Sequence, residues 1–146
     1  MTVQELKSAF ESAYGKASEA VYFSPGRVNL IGEHTDYNGG AVFPCALSFG
    51  TYLLLAKNDK SVMNFKSLNQ PEIISLGFDQ LTTPLDKSWV NYPLGVIAQF
   101  VKRGIAITQG YDILIWGNVP NGAGLSSSAA LEVVTAYAFN DQLGTD

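Results

Sequence analysis

The strongest constraint on this chain is a glycine- and serine-rich run that opens directly onto an apolar helix. Gly122, Ala123, Gly124, Leu125, Ser126, Ser127 and Ser128 lead into Ala129-Ala130-Leu131-Glu132. Glycine lets a backbone approach an anion without a Cβ clash and admits positive φ. The first N–H groups of a helix have no partner within it and lie at the positive end of its dipole. A glycine turn feeding a helix start is therefore a phosphate-binding device. The serines add hydroxyls for phosphate oxygens or for a magnesium ion. No lysine follows the glycines, so this is no Walker A loop, and the G-x-G-x-x-G spacing is absent. Taken alone, the segment also fits a plain strand–helix connection with a serine N-cap.

A second segment, 24–40, places Arg27, Glu33, His34 and Asp36 within ten residues, ahead of the turn Asn38-Gly39-Gly40. Carboxylates and an imidazole together donate to and accept from several hydroxyls, which suits a polyol or sugar. An arginine beside them can steady a transferring phosphoryl group or lower the pKa of a substrate hydroxyl. The same composition also fits a charged surface turn with internal ion pairs.

Bulk properties narrow the class. A length of 146 residues gives one domain with a real core, and 47% hydrophobic against 15% charged residues disfavours disorder. A net charge of −4 lacks the basic face of a general nucleic-acid binder. One cysteine, Cys45, excludes an internal disulfide and fits a reducing, cytoplasmic setting. One histidine and one cysteine make zinc a poor candidate. No secretory signal and no membrane-length apolar run is visible.

The periodicities predict an α+β fold with a mixed or antiparallel sheet and helices on one side. Thr2-Val3-Gln4-Glu5 fits a capping box, Val3, Leu6, Phe10, Ala13 and Tyr14 share a helical face, and Gly15 suits the C-cap. Strands are expected at 20–24 and 27–31, flanking a Pro-Gly turn, then at 46–56, 61–67, 72–78 and 111–116. Residues 79–88 read as loop. Helical spacing from Trp89 to Val101 ends at Gly104, and Pro93 confines the helix start to about 90–92. The last helix, about 127–142, is apolar on most faces and calls for burial on several sides. Since the sequence stops just after it, the expectation is an N-terminal piece of a longer protein, prone to self-association through this helix.

Both segments resemble the GHMP kinase superfamily, and 26–40 resembles the galactokinase signature nearly letter for letter; 117–132 is similar to the superfamily's ATP-phosphate motif. Trp89-x-Asn91-Tyr92 is also similar to galactokinases. The resemblance runs from about Leu6 to the end and implies the N-terminal domain fold of that superfamily, like domain 2 of ribosomal protein S5. It implies ATP- and Mg²⁺-dependent phosphorylation of galactose at the C1 hydroxyl. By the same analogy Glu33, His34, Thr35 and Asp36 line the sugar site and Arg27 stabilises the transition state. Gly122, Ala123, Gly124, Leu125, Ser126, Ser127 and Ser128 would cradle the ATP phosphates, with Ser128 also reaching the magnesium. Ser67 matches a contact near the nucleotide base, in a stretch whose surrounding letters diverge. The family's catalytic aspartate and second magnesium carboxylate are expected beyond the last helix, so turnover by these 146 residues alone is not expected. A non-catalytic galactose- and ATP-binding sensor, or a kinase for N-acetylgalactosamine, are the alternatives; the intact serine run speaks against the sensor.

Overall fold

The structure, a computed structural model, describes residues 1–31, 43–118 and 127–144, with backbone alone at 27–31, 43–48 and 127. Its elements run α1 (Val3–Tyr14), β1 (Ala20–Ile31), β2 (Phe43–Asn58), β3 (Val62–Ser67), β4 (Ile73–Gly77), a 3₁₀ turn (Phe78–Gln80), α2 (Asn91–Lys102), β5 (Gly110–Gly117) and α3 (Ser127–Leu143). The strands form one sheet in the order β1-β2-β5-β3-β4. Every pairing is antiparallel except β3 with β5. The expected mixed sheet is thus observed, with its last strand inserted at the centre.

Strand alternation sorts the core into two layers. Leu53, Leu55, Ile113 and Ile115 face α2 and α3, meeting Leu94 and Ile97 of the first and Val134 and Phe139 of the second. Leu54, Ala56 and Leu114 point the other way, onto Leu6 and Phe10 of α1. The expectation of helices on one side therefore holds for α2 and α3, while α1 covers the opposite face. Its apolar face turns out narrower than expected, because Val3 is exposed.

Local chemistry sets the helix ends. The Thr2 hydroxyl accepts from Glu5 N–H at 3.1 Å, and Gly15 closes α1 with φ +73°. Pro93 sits in the first turn of α2, where its missing N–H is harmless, and Gly104 follows the helix with φ +84°.

One expectation fails. Pro25-Gly26 does not turn the chain. β1 runs straight through it, and the pairing with β2 shifts register between Pro25 and Arg27. Pro25 stays paired with Gly50, since a proline on an edge strand needs no ladder N–H, and the shift is taken up by β2, which places two more residues than β1 between the Pro25 and Arg27 pairs. Residues 79–88 are loop apart from the end of the 3₁₀ turn.

The far end of α3 is tied to β1 by polar contacts. Tyr22 donates its hydroxyl to Asp141 Oδ2 at 2.6 Å and accepts from Gln142 Nε2 at 2.8 Å. Burial, then the bond to Asp141, push the Tyr22 pKa up to about 12. Further up the same stripe of α3, Val133 is 57% and Tyr137 64% exposed, although the Tyr137 ring meets that of Tyr22 edge-on. Both belong to the apolar excess that the sequence shows.

Candidate functional site

A pocket of about 320 Å³ opens where five elements converge on one sheet face. Ser67, the last residue of β3, lies on its floor and is itself buried. Thr51 of β2 and Ile115 and Gly117 of β5 stand beside it. Trp89 and Tyr92 form the wall at the start of α2, and Ser128 and Leu131 form the wall in the first turns of α3. Asn69 and Gln70 complete the rim. The pocket exists because the chain leaves β3 and β5 on the same side, and α2 and α3 both start there. In a parallel β3–β5 pair the two carboxyl ends adjoin, so two exits and two helix starts frame one hollow.

Supporting bonds hold the lining in place. Asn69 N–H donates to Ser67 Oγ at 3.1 Å. The side chain of Asn91 accepts from Leu85 N–H and donates to Leu85 O, each at 2.7 Å. That pair ties the 79–88 loop to the start of α2 and so sets where Trp89 and Tyr92 stand. Trp89 Nε1 is buried with no hydrogen-bond partner among the described residues. Such a donor costs about 1–3 kcal/mol, and it lies in a wall residue of the pocket.

Of the residues singled out in the sequence, Ser67 and Ser128 come together on this pocket, although they lie far apart along the chain. Arg27 lies on β1, paired with Ala46 of β2, just past the register shift. Ser127 is the first residue of α3. Glu33, His34, Thr35, Asp36, Gly122, Ala123, Gly124, Leu125 and Ser126 lie outside the described residues. Trp89 and Tyr92 entered the sequence reading only through family likeness and helical spacing. Thr51 and Asn69 carried no sequence signal of their own, because only the strand order reveals that they meet.

Among the described residues, no three His, Cys, Asp or Glu side chains gather as a metal site. No helix among them is long and apolar enough to cross a membrane.

Comparison with known proteins agrees with this geometry. Residues 8–57 match the galactokinase galactose-binding signature, and residues 91–146 match the GHMP kinases N terminal domain. The chain thus resembles galactokinases in its first part and the GHMP kinases in its last. It is 49% identical to a galactokinase of Clostridium beijerinckii, over 95% of this chain and 36% of that protein. With a galactokinase of Exiguobacterium sibiricum the identity is 52%, over 100% and 38%. The crystal structure of Lactococcus lactis galactokinase complexed with galactose superimposes with a TM-score of 0.91 at 35% identity, over all of this chain and 38% of that one. Methanococcus jannaschii mevalonate kinase, at 19% identity and a TM-score of 0.80, shares the fold. The chain spans little more than a third of the length of the curated relatives it matches.

Proposed function

We propose that this chain is the sugar- and nucleotide-recognition part of a galactokinase, which moves the γ-phosphoryl group of ATP to the C1 hydroxyl of galactose. The observation that carries this reading is the superposition of all of this chain on 38% of a galactose-bound galactokinase, at an identity, 35%, high enough to speak for more than fold. The pocket supports the nucleotide half independently. An aromatic wall beside two buried or rim hydroxyls, next to the start of α3, suits a flat base leading toward phosphates.

In this reading Glu33, His34, Thr35 and Asp36 bond the sugar hydroxyls. Ser67 contacts the nucleotide near its base, and Gly122 through Ser128 receive its phosphates on backbone N–H groups and hydroxyls. Mg²⁺ keeps most of its shell as water and phosphate oxygen, so it asks little of the protein. Ser128, exposed at the pocket, fits as one hydroxyl ligand of a nucleotide-borne ion. Bound there, the ion would offset charge on the transferring phosphates. Phosphoryl transfer rests on positioning and on stabilising charge; Arg27 supplies the positive charge of this chain closest in sequence to the sugar segment. The setting we propose is the cytoplasm, and the exposed face of α3 at Val133 and Tyr137 is where we expect self-association.

Titration calorimetry of the folded chain with galactose, and separately with Mg-ATP, tests the reading. Saturable binding of both is expected, and a folded sample that takes up neither overturns it. Asp36→Asn is expected to weaken galactose by roughly 1.5–3 kcal/mol, the worth of a hydrogen bond to a charged acceptor. Unchanged affinity removes Asp36 from the sugar site.

A further inference from the structure

β5 leaves the sheet at Gly117, and the residues on either side of that exit are held in an unusual way. Its neighbours are β2 on one flank and β3 on the other. On the β2 flank the ladder's last pair is Thr51 with Gly117. One step further, Asn118 N–H still donates to Gly50 O at 3.1 Å. A hydrogen-bonded antiparallel pair would return the bond from Gly50 N–H to the Asn118 carbonyl. Here Gly50 N–H donates instead to the side-chain Oδ1 of Asn118, at 2.7 Å. On the β3 flank, Leu68 N–H reaches Ile115 O at 3.0 Å, and the strand pairing then stops. Asn69 takes over with its side chain, accepting from Gly117 N–H at 3.2 Å and donating to Gly117 O at 3.4 Å.

We propose that Asn118 and Asn69 are positioning residues: their side-chain amides stand in for main-chain partners on both flanks of Gly117–Asn118 and fix the point from which the chain departs toward the helix start at the pocket. The main-chain carbonyl of Asn118 is thereby released from the sheet while the sheet stays paired. Gly117, Asn69, Ser67 and Ser128 all line the pocket, so a shift at this exit displaces the part of the wall from which the glycine–serine run sets out. The proposal rests on the nucleotide reading above. It differs from that reading in giving Asn118 and Asn69 an anchoring role within the sheet, and in predicting which part of the nucleotide that role serves.

The two amides make different demands. Asn118 is used as an acceptor, so a carboxylate can replace it. Asn69 is used as donor and acceptor at once, so a carboxylate cannot. The test titrates the wild-type chain, Asn118→Ala, Asn118→Asp and Asn69→Asp with ATP and, separately, with adenosine. Asn118→Ala and Asn69→Asp are expected to weaken ATP about tenfold and adenosine less than about twofold, since one lost anchoring bond acts on the phosphate end. Asn118→Asp is expected to recover most of the ATP affinity. Asn69→Asp brings its charge to the pocket rim, so the contrast is also read at high salt, where repulsion of the phosphates is screened and a lost anchoring bond is not. Equal losses for ATP and adenosine, or an Asn118→Asp as weak as Asn118→Ala, overturn the proposal. A wild-type chain that binds neither ligand overturns the nucleotide reading and this proposal with it. Amide hydrogen exchange on the wild-type chain needs no variant to fold: the Gly50 and Gly117 N–H groups are expected to be protected, and exchange at open-chain rates overturns the anchoring.

Discussion

Replacing Asp112 with alanine is expected to destabilise this chain by about 3 kcal/mol at neutral pH, and the loss is expected to shrink in acid. Asp112 sits on β5, on the α1 side of the sheet, and is nearly buried. Its Oδ1 accepts from Asn64 Nδ2 at 2.7 Å and from Asn58 Nδ2 at 3.0 Å, and its Oδ2 meets Lys16 Nζ at 2.9 Å. Alanine takes the acceptor from Asn64 Nδ2 and one of two acceptors from Asn58, whose Nδ2 still reaches Val62 O at 3.1 Å. Lys16, 38% exposed, turns to water, so its share of the cost is small. The carboxyl is pulled two ways: burial raises its pKa, while the bonds from Asn64, Lys16 and Asn58 lower it and prevail, so it ends below the usual 3.8. The unfolded chain therefore binds more protons between the two values, and stability rises with pH there. The contribution is fully present above the unfolded value and is lost as pH falls through the folded one. Denaturant melts of wild type and Asp112→Ala, at pH 7 and at steps below pH 4, check this. A difference that stays constant into strong acid overturns the ionic account.

That cluster also shows where sequence reading stops. Asp112 interrupts a strand whose apolar residues mark it for burial, yet nothing local says that Lys16, Asn58 and Asn64 converge on it. Those partners come from the end of α1, from β2 and from β3, and only the strand order assembles them. Elements with strong periodicity or end signals were legible: α1 with Thr2 and Gly15, α2 starting beside Pro93, and the apolar β5. Pro25-Gly26 misled because the same dipeptide serves a turn or an edge strand, and the long partner strand β2 carries the extra residues that let β1 run on. Site legibility divides in the same way. Ser67 and Ser128 could be named from family likeness, and the fold then brought them to one pocket. Asn118 lies within the 117–132 motif and Asn69 in none, but the role of neither could be read, because both replace main-chain partners at a strand exit, and that exit is a property of the sheet.

Gly50→Ala is expected to cost about 3 kcal/mol or more, with Gly95→Ala as its internal contrast. A Cβ on Gly50 would collide with the Ser24 carbonyl oxygen, and would lie 2.7 Å from both the Pro25 Cα and Phe23 Cε2. The phenylalanine ring can swing aside. The two backbone atoms cannot, because they belong to the stretch of β1 that leads up to the bulge in β2. Relief requires β1 and β2 to separate at the point where β1 carries Arg27 and where Gly50 meets Asn118. The substitution therefore loosens the edge strand and the exit of β5 together, and nucleotide affinity is expected to fall along with the melting temperature. Gly95 lies inside α2, and a methyl group there would meet nothing within 4 Å. At that position alanine removes backbone freedom from the unfolded chain and is expected to stabilise by about 0.5–1 kcal/mol. Thermal and denaturant melts of the two variants carry opposite signs if this account holds. A Gly50→Ala chain that melts with the wild type would mean that the bulge yields to a methyl group at little cost, and that β1 is held against β2 by its ends rather than by close contact at its centre.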